Sequence, residues 1–142
     1  MTTAKKTGRT FLFRIPPKAD LCEALEKFLA RKKIRLGTVS AIGALSQATI
    51  GYYDQEKRKY FKKTIKGELE IVACIGNVSL KDGKPFPHLH AALSDTKMRL
   101  LGGHLFPGST VFVAEVQVQE IKGKPYARRL DSATGLPLWP IR

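Results

Sequence analysis

The sequence is short of the residues that most readily announce a chemistry. It has two cysteines, Cys22 and Cys74, in 142 residues, and their isolation excludes a paired-cysteine zinc motif, a redox dithiol and a disulfide framework. Cys74 sits in the apolar run Ile71-Val72-Ala73-Cys74-Ile75 and reads as core packing; Cys22 is read as structural too. No run approaches eighteen apolar residues, and the start, Met1 to Arg9, lacks the apolar core of a signal peptide, so the expected location is cytoplasmic with no membrane partner. Phosphate-binding loops, dinucleotide-binding glycines and nucleophile elbows are absent. Acidic residues are few as well, 12 against 25 lysines and arginines, which leaves a net charge of +13.

That excess is unevenly placed. Residues 1–35 hold ten bases and three acids, and residues 57–66 hold six bases and no acid. Such clusters favour DNA or another polyanion through phosphate neutralisation and counterion release, with little sequence preference. Lys5, Lys6, Arg9, Lys57, Arg58, Lys59, Lys62 and Lys63 are the candidate contacts. The competing explanation is a solvated surface, in which lysines on an exposed strand discourage edge-to-edge pairing.

A length of 142 residues fits one domain with short tails. Residues 1–8 read as a flexible basic arm, residues 9–122 as the domain, and residues 123–142 as an extension packing its leucines and Trp139 on the body or on a neighbour. Residues 9–15 alternate as a strand, with Phe11, Phe13 and Ile15 on one face. Pro16-Pro17 stops it, and Asp20 with Glu23 three residues on marks a helix start. Leu21, Ala24, Leu25, Phe28 and Leu29 then trace one helical face, closed by Arg31-Lys32-Lys33. Two strands are expected over 34–43 and 44–53, another over 58–66, and, after Gly67, a long one over 68–80. Lys81-Asp82-Gly83-Lys84 is a hairpin turn. A short turn or helical piece is expected near Met98, a further turn at Pro107-Gly108, and a last strand over 110–121 with its even positions 112 to 118 apolar. The fold class is therefore α+β, a mainly antiparallel sheet carrying one principal amphipathic helix.

All three histidines fall in two neighbouring segments, Pro87-His88-Leu89-His90 and Gly102-Gly103-His104. On a strand His88 and His90 share a face, while Gly102 and Gly103 let the backbone come close and bring His104 alongside. Three imidazoles suit a divalent metal, zinc first, with a coordination position to spare. The simpler explanation is a set of histidines hydrogen-bonded in a core or at a subunit boundary. Were the site catalytic, Asp95, Glu70 and Glu115 are the acids available in the neighbouring strands.

The Pro-Pro stop, the single helix, the glycine-punctuated strands, Gly76-Asn77-Val78 and the two histidine motifs together resemble the plants and prokaryotes conserved (PPC) domain, over roughly residues 9 to 122. That resemblance implies an α/β fold with a mainly antiparallel sheet and a homotrimer. In plants the domain accompanies Arg-Gly-Arg-Pro elements that enter the minor groove; Lys5-Lys6-Thr7-Gly8-Arg9 lacks that pattern. The first reading is a non-enzymatic, DNA-associated protein, and the alternative is a metal-binding protein or metal-dependent enzyme acting through the three histidines.

Overall fold

Alternation and capping decide the first two elements. In the computed structural model, which describes residues 7–141, strand β1 spans Thr7–Ile15 with Phe11, Phe13 and Ile15 turned inward and Leu12 and Arg14 outward. It starts two residues ahead of the expected strand, so Thr7 and Gly8 belong to it; Lys5 and Lys6 lie outside the described residues. Helix α1 spans Leu21–Lys32. The Asp20 carboxylate accepts the Glu23 N–H at 3.0 Å, and Lys33 ends the helix in the left-handed conformation. Its buried stripe of Leu21, Cys22, Leu25, Phe28 and Leu29 lies on the sheet, with the Phe28 ring stacked on Phe13 at 4.0 Å and edge-on to Phe11 at 5.4 Å.

Four longer strands follow: β2 (Gly37–Asp54), β3 (Lys59–Lys81), β4 (Lys84–Ser94) and β5 (Leu100–Ile121). They pair antiparallel in the order β1-β5-β2-β3-β4, and the first part of β5 also pairs with β4, so the sheet closes on itself. Two short strands, β6 (Arg129–Leu130) and β7 (Pro137–Leu138), form a small hairpin in the extension. Among the described residues no helix is long and apolar enough to cross a membrane.

The expected breaks within the strands are irregularities rather than ends. Residues 37–54 form one strand, with register shifts after Ala41 and Leu45. Gly67, read as a separator, has φ +122° and takes up the second of these shifts inside β3. Glycine tolerates that conformation, so an extra residue is absorbed as a bulge and pairing continues. Pro107-Gly108 likewise lies within β5, where the Asp20 carboxylate accepts the N–H groups of Gly108 (2.6 Å) and Ser109 (2.9 Å). A shift in the β2–β5 register between Val111 and Val113 also reverses which side chains point inward. Phe112, grouped by its even number with Val116 and Val118, is consequently 69% exposed, while Val111 and Ala114 are buried.

Candidate metal centre and its cavity

Strand alternation sends Pro87, Leu89, Ala91 and Leu93 of β4 into the core and leaves His88 and His90 together on the opposite face. The pairing of β4 with β5 sets His90 directly across from His104, and His104 is also paired with Gly51 of β2. This double pairing requires the two glycines. A Cβ on Gly102 would collide with the carbonyl oxygen of Ala91, and one on Gly103, at φ +151°, would stand 2.5 Å from that of Gly51.

The three imidazole centroids are 5.0 to 5.4 Å apart. Nε2 of His88 and Nε2 of His90 are 3.2 Å apart, and one nitrogen from each of the three rings falls within 4.8 Å of the others. Two nitrogens bound to one tetrahedral zinc at ~2.0–2.1 Å are ~3.3 Å apart, close to the observed spacing. Among the described residues Nδ1 of His104 is buried without a hydrogen-bond partner, a costly condition for a polar atom that coordination through this nitrogen would relieve. Burial, reinforced by Arg128 and His90, lowers the His88 pKa to about 4. Burial, reinforced chiefly by His88 and His90, does the same to His104, again to about 4. Both rings are thus neutral at neutral pH, the state in which imidazole is a ligand. A guanidinium only donates, so the 3.4 Å approach of the Arg128 Nη2 to Nδ1 of His88 belongs to the tautomer with its proton on Nε2. Ligation through Nε2 requires the other tautomer.

His88 and His104 open onto a cavity of about 430 Å³. Tyr60 and Phe106 flank His104, with centroids 5.1 and 4.4 Å from its ring. Lys62 lines this cavity with its Nζ 4.0 Å from the Phe106 ring centre, and Glu26 of α1 and Arg128 of the extension line it too. None of the acids proposed for proton transfer does. Asp95 accepts from the backbone N–H groups of Lys97 and Arg99 and from the Arg99 guanidinium, tying the β4–β5 turn. Glu70 pairs with Ser94 at the far end of β4, and Glu115 borders a different groove beside Arg14. Sequence reasoning missed Glu26 and Arg128 because neither stands near a histidine in the chain.

Among the described residues the remaining candidate bases lie outside this cavity. Arg9 forms a two-pronged ion pair with Glu120 (2.8 and 2.9 Å) and donates to the Lys32 carbonyl. Arg58 donates to the carbonyls of Ser132 and Ala133. Lys57 and Lys59 lie over the Phe61 ring, and Lys63 is exposed on β3. Both cysteines are buried, and burial raises the Cys74 pKa to about 11 and raises that of Cys22 as well. Neither is therefore an activated thiol.

A sequence model of the Plants and Prokaryotes Conserved (PCC) domain matches residues 2–122. A plant- and prokaryote-conserved protein from Pyrococcus horikoshii shares the structure with a TM-score of 0.94 and 39% identity, over 100% of this chain and 98% of that one. A metal-containing protein from Archaeoglobus fulgidus does so with a TM-score of 0.92 and 44% identity, over 99% and 100% of the two chains. At 23% identity a candidate DNA-binding protein from Bacteroides thetaiotaomicron shares the fold, with a TM-score of 0.85 over 96% of each chain. The Bifunctional protein GlmU of a Synechococcus strain is 36% identical over 129 residues, 89% of this chain and 20% of its own length. The chain thus spans about a fifth of the length of the curated relatives it matches.

Proposed function

This chain belongs to the Plants and Prokaryotes Conserved (PCC) domain family, and we propose that it is a trimeric metal-binding protein whose His88, His90 and His104 hold one divalent ion. The observation that carries this reading is the meeting of one nitrogen from each of three imidazoles within 4.8 Å of the others. The metal-containing relative at 44% identity supports it. Zinc fits a neutral three-nitrogen donor set, and such an ion supplies Lewis acidity and a position for one small ligand. Gly102 and Gly103 shape the site by letting β5 lie against both β2 and β4. The test is elemental analysis of protein purified without chelators. Near-stoichiometric divalent metal in the wild type, lost in His90→Ala, is the expected result; wild-type protein free of metal overturns the reading.

For the trimer, the supporting observation is an apolar outer face of the sheet. Leu12, Ile42 and Ile75 are 79%, 56% and 63% exposed, and with Ala73 they line one groove across β1, β2 and β3. Apolar side chains gathered in this way, bordered by Arg14, Glu115 and Gln117, suit burial against further copies of the same chain.

Electrostatic association with DNA is a second reading, favoured by the net charge of +13 and by the exposed Lys57, Lys59 and Lys63 near the β2–β3 turn. Arg9 and Arg58 are engaged in internal contacts, so the lysines are its candidate phosphate contacts. Affinity for duplex DNA should fall steeply as salt rises, with little sequence preference. Undetectable binding at low salt ends this reading.

A further inference from the structure

The chain beyond residue 122 lies outside the stretch matched by the family model, 2–122, yet its residues 128 and 136–138 form one wall of the histidine cavity. The Leu80 N–H donates to the Tyr126 carbonyl at 2.8 Å and the Arg128 N–H to the Leu80 carbonyl at 2.7 Å, a short parallel bridge to β3. Arg58 and the Tyr53 hydroxyl, which donates to the Thr134 carbonyl at 2.7 Å, fasten the far part of the extension. Arg128, Leu136, Pro137 and Leu138 thereby join His88 and His104 around the same space.

The charge in that space is lopsided. The half-buried Arg128 guanidinium donates to Ser79 Oγ (2.9 Å), Asn77 Oδ1 (3.0 Å) and the Pro137 carbonyl (3.1 Å), and lies over the rings of Phe86 and Trp139. These acceptors are all neutral, and no ion pair to Arg128 occurs among the described residues. Among the described residues one acid, Glu26, lines the cavity, against three cations, Lys62, Lys81 and Arg128. A half-buried guanidinium held only by neutral acceptors forms a stronger, charge-assisted hydrogen bond when an anion enters beside it. Beyond Tyr60 and the two histidines the remaining lining is apolar, including Phe86, Phe106, Leu136 and Leu138, and a volume of about 430 Å³ falls in the range of small-molecule sites.

We propose that this cavity binds a small organic acid, its carboxylate meeting Arg128 and Lys62 beside the histidines and its apolar part lying against Phe106, Leu136 and Leu138. The extension is then the segment that selects the ligand. A carboxylate with a hydrocarbon body fits better than free phosphate, which would leave the apolar walls unfilled. The proposal deepens the metal reading and rests on it for the further positive charge of the ion, while Arg128 and Lys62 are the chain's own contribution.

The protein's single tryptophan, Trp139, lies over Arg128 and provides the signal. Full-length, zinc-loaded protein is titrated with phenylacetate, with the uncharged 2-phenylethanol and with inorganic phosphate, following Trp139 fluorescence, and metal content is measured on the same samples. Phenylacetate should bind at least about tenfold more tightly than either competitor, a preference that Arg128→Gln should abolish and Lys62→Gln should weaken several-fold, both at unchanged metal content. Equal binding of acid and alcohol, tighter binding of phosphate, or full acid affinity in both variants overturns the proposal. If Arg128→Gln is unfolded by circular dichroism, Lys62→Gln alone decides. Should the protein take up no metal yet still prefer phenylacetate through these two residues, the metal reading fails and the acid-binding cavity stands.

Discussion

Burial determines the protonation of His88 and His104 at neutral pH, and it links them to stability. Their pKa values fall from 6.5 to about 4 in the folded protein, so between those limits the unfolded chain binds more protons than the native one, and stability must rise with pH. Metal-free protein should therefore show a urea midpoint that climbs from pH 4 to about 6.5 and then levels off. The double variant His88→Asn/His104→Asn should give a flatter curve over that interval; an equally steep one would remove the histidines as its cause. Gly102 is the second residue to test. Alanine there forces β5 away from the Ala91 carbonyl, and overpacking of this kind costs about 1–3 kcal/mol. Gly102→Ala should lower the urea midpoint and weaken metal retention together, because the same displacement moves His104.

At the scale of elements, Asp20 links α1 to β5. One carboxylate oxygen caps the helix and the other accepts two backbone N–H groups at the Pro107-Gly108 irregularity. A lost helix cap alone costs ~1 kcal/mol, and N–H groups left without their charged acceptor add to that, so Asp20→Ala should cost about 3 kcal/mol. Denaturant melts against Ser, which keeps the cap but not the second oxygen, separate the two contributions; equal losses in both variants would put the whole cost on the longer contact. The helix and β1 were legible because each rests on a local signal, a cap or an unbroken alternation. The lengths of β2, β3 and β5 were not, since glycine and proline mark a bulge and a chain reversal with the same residues. Whether pairing continues depends on partners far along the chain, such as Asp20 for Gly108. Phe112 was misplaced for the same reason, one irregular residue reversing the two faces. The nearness of His88, His90 and His104 was readable from strand parity and the glycine pair, whereas Arg128 and Glu26 reach the cavity through tertiary packing that leaves no local trace.

For the whole molecule, one histidine site, one apolar face and a cationic surface divide the chain between them. The apolar face of Leu12, Ile42 and Ile75 should hold copies of the chain together. Ile75→Glu, which places a charge in that groove, should shift the protein from trimer to monomer in sedimentation equilibrium while circular dichroism stays unchanged. A wild-type monomer at micromolar concentration would refute the assignment of that face. Everything proposed about ligand binding depends in turn on an ion among the three imidazoles. The most direct test is anomalous X-ray scattering from crystals of protein purified without added metal or chelator, recorded on both sides of the zinc edge and of neighbouring transition-metal edges. The account predicts one strong peak in each chain within bonding distance of His88, His90 and His104; ordered imidazoles with no anomalous peak among them at any edge would contradict it.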